Sequence, residues 1–292
     1  MIKSQVFGPG FTIDKYTPIW YNQNNSNESR LIHMKRILIT GGPTNEYIDE
    51  VMKITNMSSG KLAVELAQYF AEDGDNVTLC ITKTVRHPQL AALSAMENVN
   101  IIQFETTHDL QTVLEICAAS SQYDIVIHSA AVADYKPEFS FRMEDMASEI
   151  TDFIMNNQEY LMSQEVYEKV LDILTNPQCK INDDTKISSV EPHLTVKMGL
   201  TPKIIASLGR MFPSAFICGF KLLENVPEEE LINAAIQQIN KCDTDMCFAN
   251  DLAELRKSNA TRLVVTKNGY HNIKVDGAYG IFNLLKIVTS AD

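Results

Sequence analysis

From residue 34 onward, short apolar runs alternate with segments in which apolar residues recur at helical spacing. The runs with strand character cover residues 37–40, 77–82, 100–104, 124–128, 215–220 and 245–249. The clearest helical segment places Leu62, Leu66, Tyr69 and Phe70 on one face and ends at Gly74. Further helices are predicted over residues 109–120, 227–241 and 202–211, the last with a proline in its first turn. This alternation predicts a parallel sheet with helices on both faces.

Three segments depart from the alternation. Residues 1–33 contain a glycine–proline–glycine sequence and a polar stretch, and we predict a poorly ordered or peripheral arm before a single domain over 34–292. Residues 138–185 are acidic and rich in methionine and asparagine, which indicates an insertion or flap. Asn268-Gly269 separates two strand-like runs and predicts a β-hairpin, followed by a helix over 279–288. The expected α/β fold is therefore a doubly wound, mostly parallel, Rossmann-like sheet with a flap insertion and a C-terminal β-hairpin.

The composition of the chain limits the kinds of molecule that it can bind. Its 292 residues carry a formal net charge of −12, which argues against nucleic-acid binding, since that affinity depends on lysine and arginine neutralising phosphates. Binding of a small anion is compatible with this net charge, because a few cations and backbone amides can hold the anion locally. No apolar run reaches the roughly 18 residues of a membrane span. The six cysteines form no CxxC pair, and we expect reduced thiols in a cytoplasmic protein.

Two glycine-containing segments are candidates for anion binding. Gly41 and Gly42 directly follow the first strand, where glycines let the backbone turn its amides toward an anion; a tight turn without a ligand is an equal interpretation. Ser58, Ser59 and Gly60 precede the helix that carries Leu62. Amides and hydroxyls at a helix N-terminus favour an anion, although one serine would suffice as a simple N-cap. Neither segment satisfies the dinucleotide pattern GxGxxG or the P-loop pattern.

A third candidate segment follows the strand at 124–128. Its small residues Ala130, Ala131 and Val132 can let a flat group lie against the main chain, and Asp134 can accept hydrogen bonds from a nucleotide. By spacing alone, close packing of a helix on a strand, followed by a capping aspartate, is the favoured interpretation.

These segments together resemble the phosphopantothenoylcysteine synthetase family. The stretch GGPTNEYIDEVMKITNMSSG is similar to the family's glycine-rich start, and SAAVADYKP resembles its AAVADY element. DTKISS resembles the element of the flap lysine, and TPKII, GFKL and FAND match further elements in order. The resemblance spans roughly residues 34–290. It is to the short monofunctional bacterial form, since no flavin-dependent decarboxylase domain precedes these motifs.

The resemblance implies a ligase of coenzyme A biosynthesis. In this family the carboxylate of 4′-phosphopantothenate attacks the α-phosphate of CTP, and L-cysteine then displaces CMP from the acyl-cytidylate. Mg²⁺ accompanies the CTP, no metal site of the protein itself is expected, and a homodimer is implied. The match assigns catalytic roles to Asn56, as a donor to the acyl oxygen, and to Lys186, as a mobile cation. It also implies nucleotide or phosphate contacts by Gly41, Gly42, Ser58, Ser59, Gly60, Ala130, Ala131, Val132, Asp134, Phe220 and Asn250.

Two positions depart from the family pattern. Met52 stands where an arginine is common, and Pro43 replaces the threonine of GGT and removes one amide donor. Both changes affect the expected phosphate contacts, and the sequence leaves the choice between CTP and ATP open.

Two other functions stay open from the residues alone. A nicotinamide-dependent reductase would need a helical Tyr-x-x-x-Lys, whereas the one such pair, Tyr270 and Lys274, lies in the predicted hairpin. A non-catalytic nucleotide sensor would need the glycine-rich segments but neither Asn56 nor Lys186.

Overall fold

The computed structural model describes residues 11–13, 34–158, 165–181, 186–256 and 261–290. Its strands are β1 (Phe11–Ile13), β2 (Arg36–Gly41), β3 (Asn45–Tyr47), β4 (Lys53–Thr55), β5 (Asn76–Thr82), β6 (Val99–Phe104), β7 (Ile125–His128), β8 (Tyr135–Arg142), β9 (Leu194–Leu200), β10 (Phe216–Leu223), β11 (Met246–Asp251), β12 (Thr261–Thr266) and β13 (Gly269–Asp276). Its helices are α1 (Lys61–Glu72), α2 (Gln89–Ser94), α3 (Thr107–Ser120), α4 (Met143–Asn156), α5 (Glu165–Thr175), α6 (Ile205–Met211), α7 (Glu228–Cys242), α8 (Leu252–Arg256) and α9 (Gly277–Val288).

The chain divides into two compact units. The first comprises residues 1–44, 57–132 and 203–292, so far as they are described, and the second comprises 45–56 and 133–202. The segment 138–185, which the sequence predicts to be an insertion or flap, lies within the second unit.

The first unit is built on a nine-stranded sheet in the order β1-β13-β12-β11-β10-β7-β2-β5-β6. From β11 to β6, every neighbouring pair of strands is parallel. The first strand of this parallel part, β2, lies in its middle: the chain continues outward through β5 and β6, then crosses to β7, β10 and β11. This is the strand order of a doubly wound fold, and the predicted fold class is confirmed.

Alternating side chains of β2 enter two different cores, as the two-residue period of a strand requires. Ile37 and Ile39 belong to a core that also contains buried residues of α1 and α9, whereas Leu38 belongs to a core with residues of α3 and α6. Helices therefore cover both faces of the sheet. Because both faces are buried, the parallel strands are nearly continuous apolar runs.

The ends of two predicted elements shift in the structure. Helix α6 begins at Ile205, so Pro202 precedes the helix and is not in its first turn. The neighbouring Thr201 donates its amide to the carbonyl of Asp134, a tertiary hydrogen bond that local helix signals do not reveal. The predicted hairpin is confirmed, but Thr266 pairs with Gly269, so its turn residues are Lys267 and Asn268.

The N-terminal arm is described only over three residues. Phe11–Ile13 pair antiparallel with β13 and add strand β1 to one edge of the sheet. The remaining residues of the predicted arm, 1–10 and 14–33, lie outside the described residues. No helix among the residues that the structure describes is long and apolar enough to cross a membrane.

In the part of the second unit that the structure describes, there are two antiparallel ribbons and two helices. Strands β8 and β9 pair from Tyr135↔Leu200 to Arg142↔Leu194, with a bulge between Pro137 and Phe139. The short pair β3–β4 forms a hairpin. Helices α4 and α5 lie between β8 and β9 in the chain, and α4 packs its Met146 with Phe139 and Phe141 in a small separate core.

Candidate active site

In the first unit, β2 and β7 are neighbours, and the chain proceeds from them to opposite sides of the sheet. Such a reversal of strand order leaves a crevice at the carboxyl ends of the two strands, where ligands of this fold class bind. The register pairs Thr40 with His128, so Gly41 and Ser129 emerge side by side at this edge. The structure thereby brings together two of the segments that the sequence singles out.

The turn after β2 requires both of its glycines. A Cβ atom on Gly41 would lie 2.1 Å from the Cβ of Ala63, so only glycine allows α1 to approach β2 this closely. Gly42 has a φ of 82°, and a Cβ there would lie 2.6 Å from Oγ1 of Thr82. The close packing of α1 brings the N-terminus of that helix to the same edge of the sheet.

Helix α1 begins at this edge without a side-chain cap. Its N-cap residue is Gly60, at φ 70°, and no side-chain hydrogen bond caps the helix. Ser59 is exposed and accepts a bond of 3.4 Å from the amide of Lys61, while Ser58 is half-buried. The interpretation of these serines as ordinary N-caps is therefore not supported. The first amides of the helix, with the positive end of its dipole, are suited to an anion.

The loop after β7 is tied to the turn after β2. The amide of Ala131 donates to the carbonyl of Gly42 at 2.9 Å, and the amide of Thr44 donates to the carbonyl of Ala131 at 3.3 Å. Pro43 and Ala131 form an isolated parallel bridge. The missing amide of Pro43 therefore leaves the pairing of the two loops intact, and the pairing of β2 with β7 continues beyond the sheet.

Two buried polar residues, to which the sequence analysis assigned no role, form hydrogen bonds at the base of these loops. Thr40 shares a hydrogen bond of 2.8 Å between its Oγ1 and Nδ1 of His128, and the same Oγ1 accepts the amide of Ala130 at 3.3 Å. Burial lowers the pKa of His128 from 6.5 to about 4, so its imidazole is neutral at pH 7. A histidine at the end of a predicted central strand was the signal that could have identified it.

The predicted nucleotide contacts further along the chain fall on both faces of the sheet. Phe220 is half-buried and packs with the core that contains α1 and α9, its ring 5.2 Å from that of Phe248. Ala130 and Val132 pack with the opposite core, beside α3 and α6. Phe220 thus has a packing role irrespective of any ligand.

Strand β11 ends with Asn250 and Asp251, the last two residues of the FAND element that the sequence shares with the family. Asn250 is buried and pairs with Leu222 of β10. Asp251 accepts the amide of Ala253 at 2.8 Å and the amide of Val226 at 3.1 Å. Hydrogen bonds from the amides of Val226, Ala253, Glu254 and Asn225 outweigh desolvation and lower its pKa. Asp251 therefore stabilises the turns around it through these hydrogen bonds.

Three predicted site residues belong to the second unit. Asn56 follows β4 and is exposed. Asp134, next to β8, has an exposed side chain, and its carbonyl accepts the amide of Thr201. Lys186 is exposed and precedes the buried Ile187.

The structure also gives a role to Asp49, an acidic residue of the glycine-rich stretch to which the sequence assigned none. Asp49 lies in the turn between β3 and β4, is buried, and accepts three backbone amides: Val51 at 2.8 Å, Met52 at 2.6 Å and Ile187 at 2.8 Å. Desolvation raises its pKa, but these hydrogen bonds, together with the charge of Lys186, outweigh it and lower the pKa below 3.8. Asp49 stays ionised at neutral pH.

The tyrosine–lysine pair of the reductase alternative is not arranged for catalysis. Tyr270 and Lys274 both lie on β13, where four residues separate their Cα atoms by roughly 13 Å. The ammonium of Lys274 is bound to the carboxylate of Glu228 at 2.9 Å. Across the described part of the chain, no group of three or more His, Cys, Asp and Glu side chains is arranged to hold a metal ion.

Comparisons with known proteins agree with this fold. Residues 32–154 match the family described as "DNA/pantothenate metabolism flavoprotein C-terminal domain". The coenzyme A biosynthesis bifunctional protein CoaBC of Thermococcus kodakarensis is 33% identical over 218 residues, which cover 75% of this chain and 41% of that protein. CoaBC of Vibrio vulnificus is 39% identical over 133 residues, covering 44% of this chain and 31% of that protein. The chain thus spans about two fifths or less of the length of these relatives.

Solved structures extend the likeness over more of the chain. The DNA/pantothenate metabolism flavoprotein from Streptococcus pneumoniae has 27% sequence identity and a TM-score of 0.68, covering 88% of this chain and 99% of that one. A Cab2 mutant in complex with phosphopantothenate-cysteine has 16% identity and a TM-score of 0.55, which shows a shared fold. Residues 32–154 therefore match the C-terminal domain of the DNA/pantothenate metabolism flavoproteins, and the resemblance of the chain to the phosphopantothenoylcysteine synthetase family is confirmed.

Proposed function

We propose that this chain is a phosphopantothenate–cysteine ligase of coenzyme A biosynthesis. The observation that carries the proposal is the carboxyl edge of β2 and β7, where two loops joined by main-chain hydrogen bonds lie beside the N-terminus of α1, which has no side-chain cap hydrogen bond. The free amides and positive dipole end of such a helix terminus favour an anion. This arrangement occurs in a chain that is 33% identical, over 75% of its length, to a protein named for coenzyme A biosynthesis. A ligase that activates a carboxylate with a nucleotide needs such a site for the triphosphate.

The proposed reaction has two steps. In the first, a carboxylate oxygen of 4′-phosphopantothenate attacks the α-phosphorus of CTP; a P–O bond forms, and the bond to the β-phosphate breaks to release pyrophosphate. In the second, the amine of L-cysteine attacks the acyl carbon of the acyl-cytidylate, loses a proton, and expels CMP. The activation is required because a free carboxylate is a poor acyl donor.

The nucleotide contacts in this proposal begin with the phosphate groups. Backbone amides of Gly41, Gly42 and Gly60, with the hydroxyls of Ser58 and Ser59, bind phosphate oxygens. The positive end of the α1 dipole strengthens these contacts. The other proposed contacts to the nucleotide are made by Ala130, Ala131, Val132, Asp134, Phe220 and Asn250.

Two further side chains act on the reacting groups in this proposal. The amide of Asn56 donates to the acyl oxygen, on which negative charge accumulates during attack by the amine. The ammonium of Lys186 neutralises phosphate charge and reduces the access of water. Both side chains are exposed, as contact with a substrate requires.

Mg²⁺ enters this proposal as the counter-ion of CTP. The described residues supply no carboxylate group suited to a resident ion, so no step is assigned to the metal. The six cysteines are free, in keeping with a proposed cytoplasmic location. The proposed assembly is a homodimer, as the family resemblance implies, which light scattering in solution tests.

The decisive experiment measures each product separately. With CTP, Mg²⁺ and 4′-phosphopantothenate, we expect pyrophosphate, and we expect CMP to be released only when L-cysteine is added. Replacing CTP by ATP tests the choice of base, with less pyrophosphate expected. Nucleotide binding without pyrophosphate would identify a sensor instead, and NADPH binding without pyrophosphate would identify a reductase; either result overturns the proposal.

A further inference from the structure

Asp49 links two segments that are far apart in the sequence of the second unit. One oxygen of its carboxylate, Oδ1, accepts the amides of Val51 and Met52 within the β3–β4 turn. The other, Oδ2, accepts the amide of Ile187 at 2.8 Å, across 138 residues of chain. The two oxygens therefore have separate tasks: one closes the turn, and the other fixes the backbone at Ile187, in a segment without regular secondary structure.

The segment that is fixed carries the proposed flap lysine. Ile187 is only 4% exposed, and Lys186, immediately before it, is exposed. A buried residue held by a short hydrogen bond restricts the backbone of its neighbour, so the range open to the Lys186 side chain depends on the bond between Asp49 and Ile187. The positive charge of Lys186 also interacts favourably with the Asp49 carboxylate.

The same turn leads to the other proposed catalytic residue. Strand β4 ends at Thr55, which pairs with Asn45 of β3, and Asn56 follows directly. Asp49 thus connects the hairpin that leads to Asn56 with the segment that carries Lys186, within one compact unit.

We infer that Asp49 is a positioning residue: its carboxylate holds the backbone at Ile187 so that Lys186 is presented to the reacting phosphate and acyl groups. This inference rests on the proposed function. Asp49 itself touches no substrate, since it is buried and its two oxygens are occupied by backbone amides.

The substitution Asp49→Asn separates the two tasks of the carboxylate. The single carbonyl oxygen of asparagine can replace Oδ1 and still accept the turn amides. Its NH₂ group then faces the amide of Ile187, donor against donor, so that this bond is lost. We expect a decrease in the rate of CMP release on the order of 10–100-fold, because small displacements of a catalytic group have effects of that size.

A double-mutant cycle distinguishes positioning from general damage to the fold. In the Lys186→Gln background, we expect Asp49→Asn to cause no further loss, because the lysine through which it acts is absent. If the two substitutions instead acted independently, so that their decreases in rate multiplied in the double variant, the inference would be overturned. A wild-type rate for Asp49→Asn when Lys186→Gln is slow would also overturn it, and in that case the proposed function would stand.

Amide hydrogen exchange gives a readout that does not depend on activity. We expect the amide of Ile187 to exchange slowly in the wild-type protein and at least tenfold faster in Asp49→Asn. Fast exchange at Ile187 in the wild type would overturn the inference even if the variant failed to fold. The matched control is Asp245→Asn, which removes a carboxylate that accepts the amide of Ile217 at 2.8 Å in the first unit. We expect this control to leave Ile187 exchange and the CMP rate unchanged; a change in either would overturn the inference by showing that the effect is not specific to Asp49.

Discussion

The hydroxyl of Thr40 and Nδ1 of His128 lie 2.8 Å apart in the interior of the sheet and join β2, one residue before its end, to the last residue of β7. Thr40 is fully buried and His128 is 6% exposed. The two loops that begin just beyond this bond are the ones that we propose to bind the phosphate groups of the nucleotide. A neutral imidazole is required here, because a protonated ring would place an unpaired charge in the core.

The stability of the protein should therefore depend on the protonation of His128. The pKa of this group is lowered from 6.5 to about 4 by burial, so the unfolded chain binds the proton first as the pH falls. The contribution of neutral His128 to the free energy of unfolding is fully present above pH 6.5 and is lost progressively as the pH falls toward 4. We expect the free energy of unfolding to fall over this range by up to about 3 kcal/mol through this one group. Urea unfolding at successive pH values measures it.

Carboxylates also titrate near the lower end of this range, so a matched variant is needed. His128→Asn keeps an acceptor near the position of Nδ1 but does not titrate. We expect this variant to lose the part of the pH dependence that lies between pH 6.5 and 5, where few carboxylates change charge. An identical pH profile in the variant and the wild type would contradict this account of His128.

Gly42→Ala should affect both stability and nucleotide binding. The alanine Cβ would lie 2.6 Å from Oγ1 of Thr82 and 2.8 Å from Cγ2 of Val85, at a φ of 82° that L-residues rarely adopt. We expect a loss of about 1–3 kcal/mol in the free energy of unfolding and weaker binding of CTP, measured by calorimetry. Gly74→Ala is the control: its φ is 92°, but its Cβ would meet nothing within 4 Å, so CTP binding should be unchanged.

Asn56→Ala should slow catalysis without disturbing the fold. The side chain is exposed, so its removal creates no cavity. Loss of the proposed donor to the acyl oxygen should decrease turnover on the order of 10²–10³-fold. Pyrophosphate should form in a burst while CMP release is slow, which would show that the acyl-cytidylate accumulates. Near-normal turnover of Asn56→Ala or Asn56→Asp would remove this residue from the mechanism.

Lys186→Gln should slow the coupling of cysteine. Removing the ammonium leaves phosphate charge without its partner, and we expect a decrease on the order of 10²-fold in CMP release. Lys186→Arg keeps the charge and should keep more of the rate. Rapid-quench measurement of both steps is the test, and a full coupling rate in Lys186→Gln would lead us to withdraw its catalytic role.

Much of the fold could be predicted because the relevant signals are local. The short apolar runs indicated the strands of the sheet. The helical spacing of Leu62, Leu66 and Phe70 indicated α1, which occupies the predicted position. The end of β2 at Gly41 and the start of α1 after Gly60 also lie where the sequence placed them, whereas the anion site expected there stays a prediction. The start of α6 was predicted three residues too early, since the hydrogen bond from Thr201 to Asp134 has no local signature.

By itself, the sequence determined the class of fold, the segments that carry the candidate chemistry and the family resemblance, because periodicity, glycine placement and motif order are written within short stretches of chain. Only the tertiary structure decided that β2 and β7 are neighbours, that Thr40 meets a buried neutral His128, and that Asp49 holds the backbone next to Lys186. Each of these relationships joins residues 88 or 138 positions apart. Their partners are selected by packing of the whole chain, which no local pattern encodes.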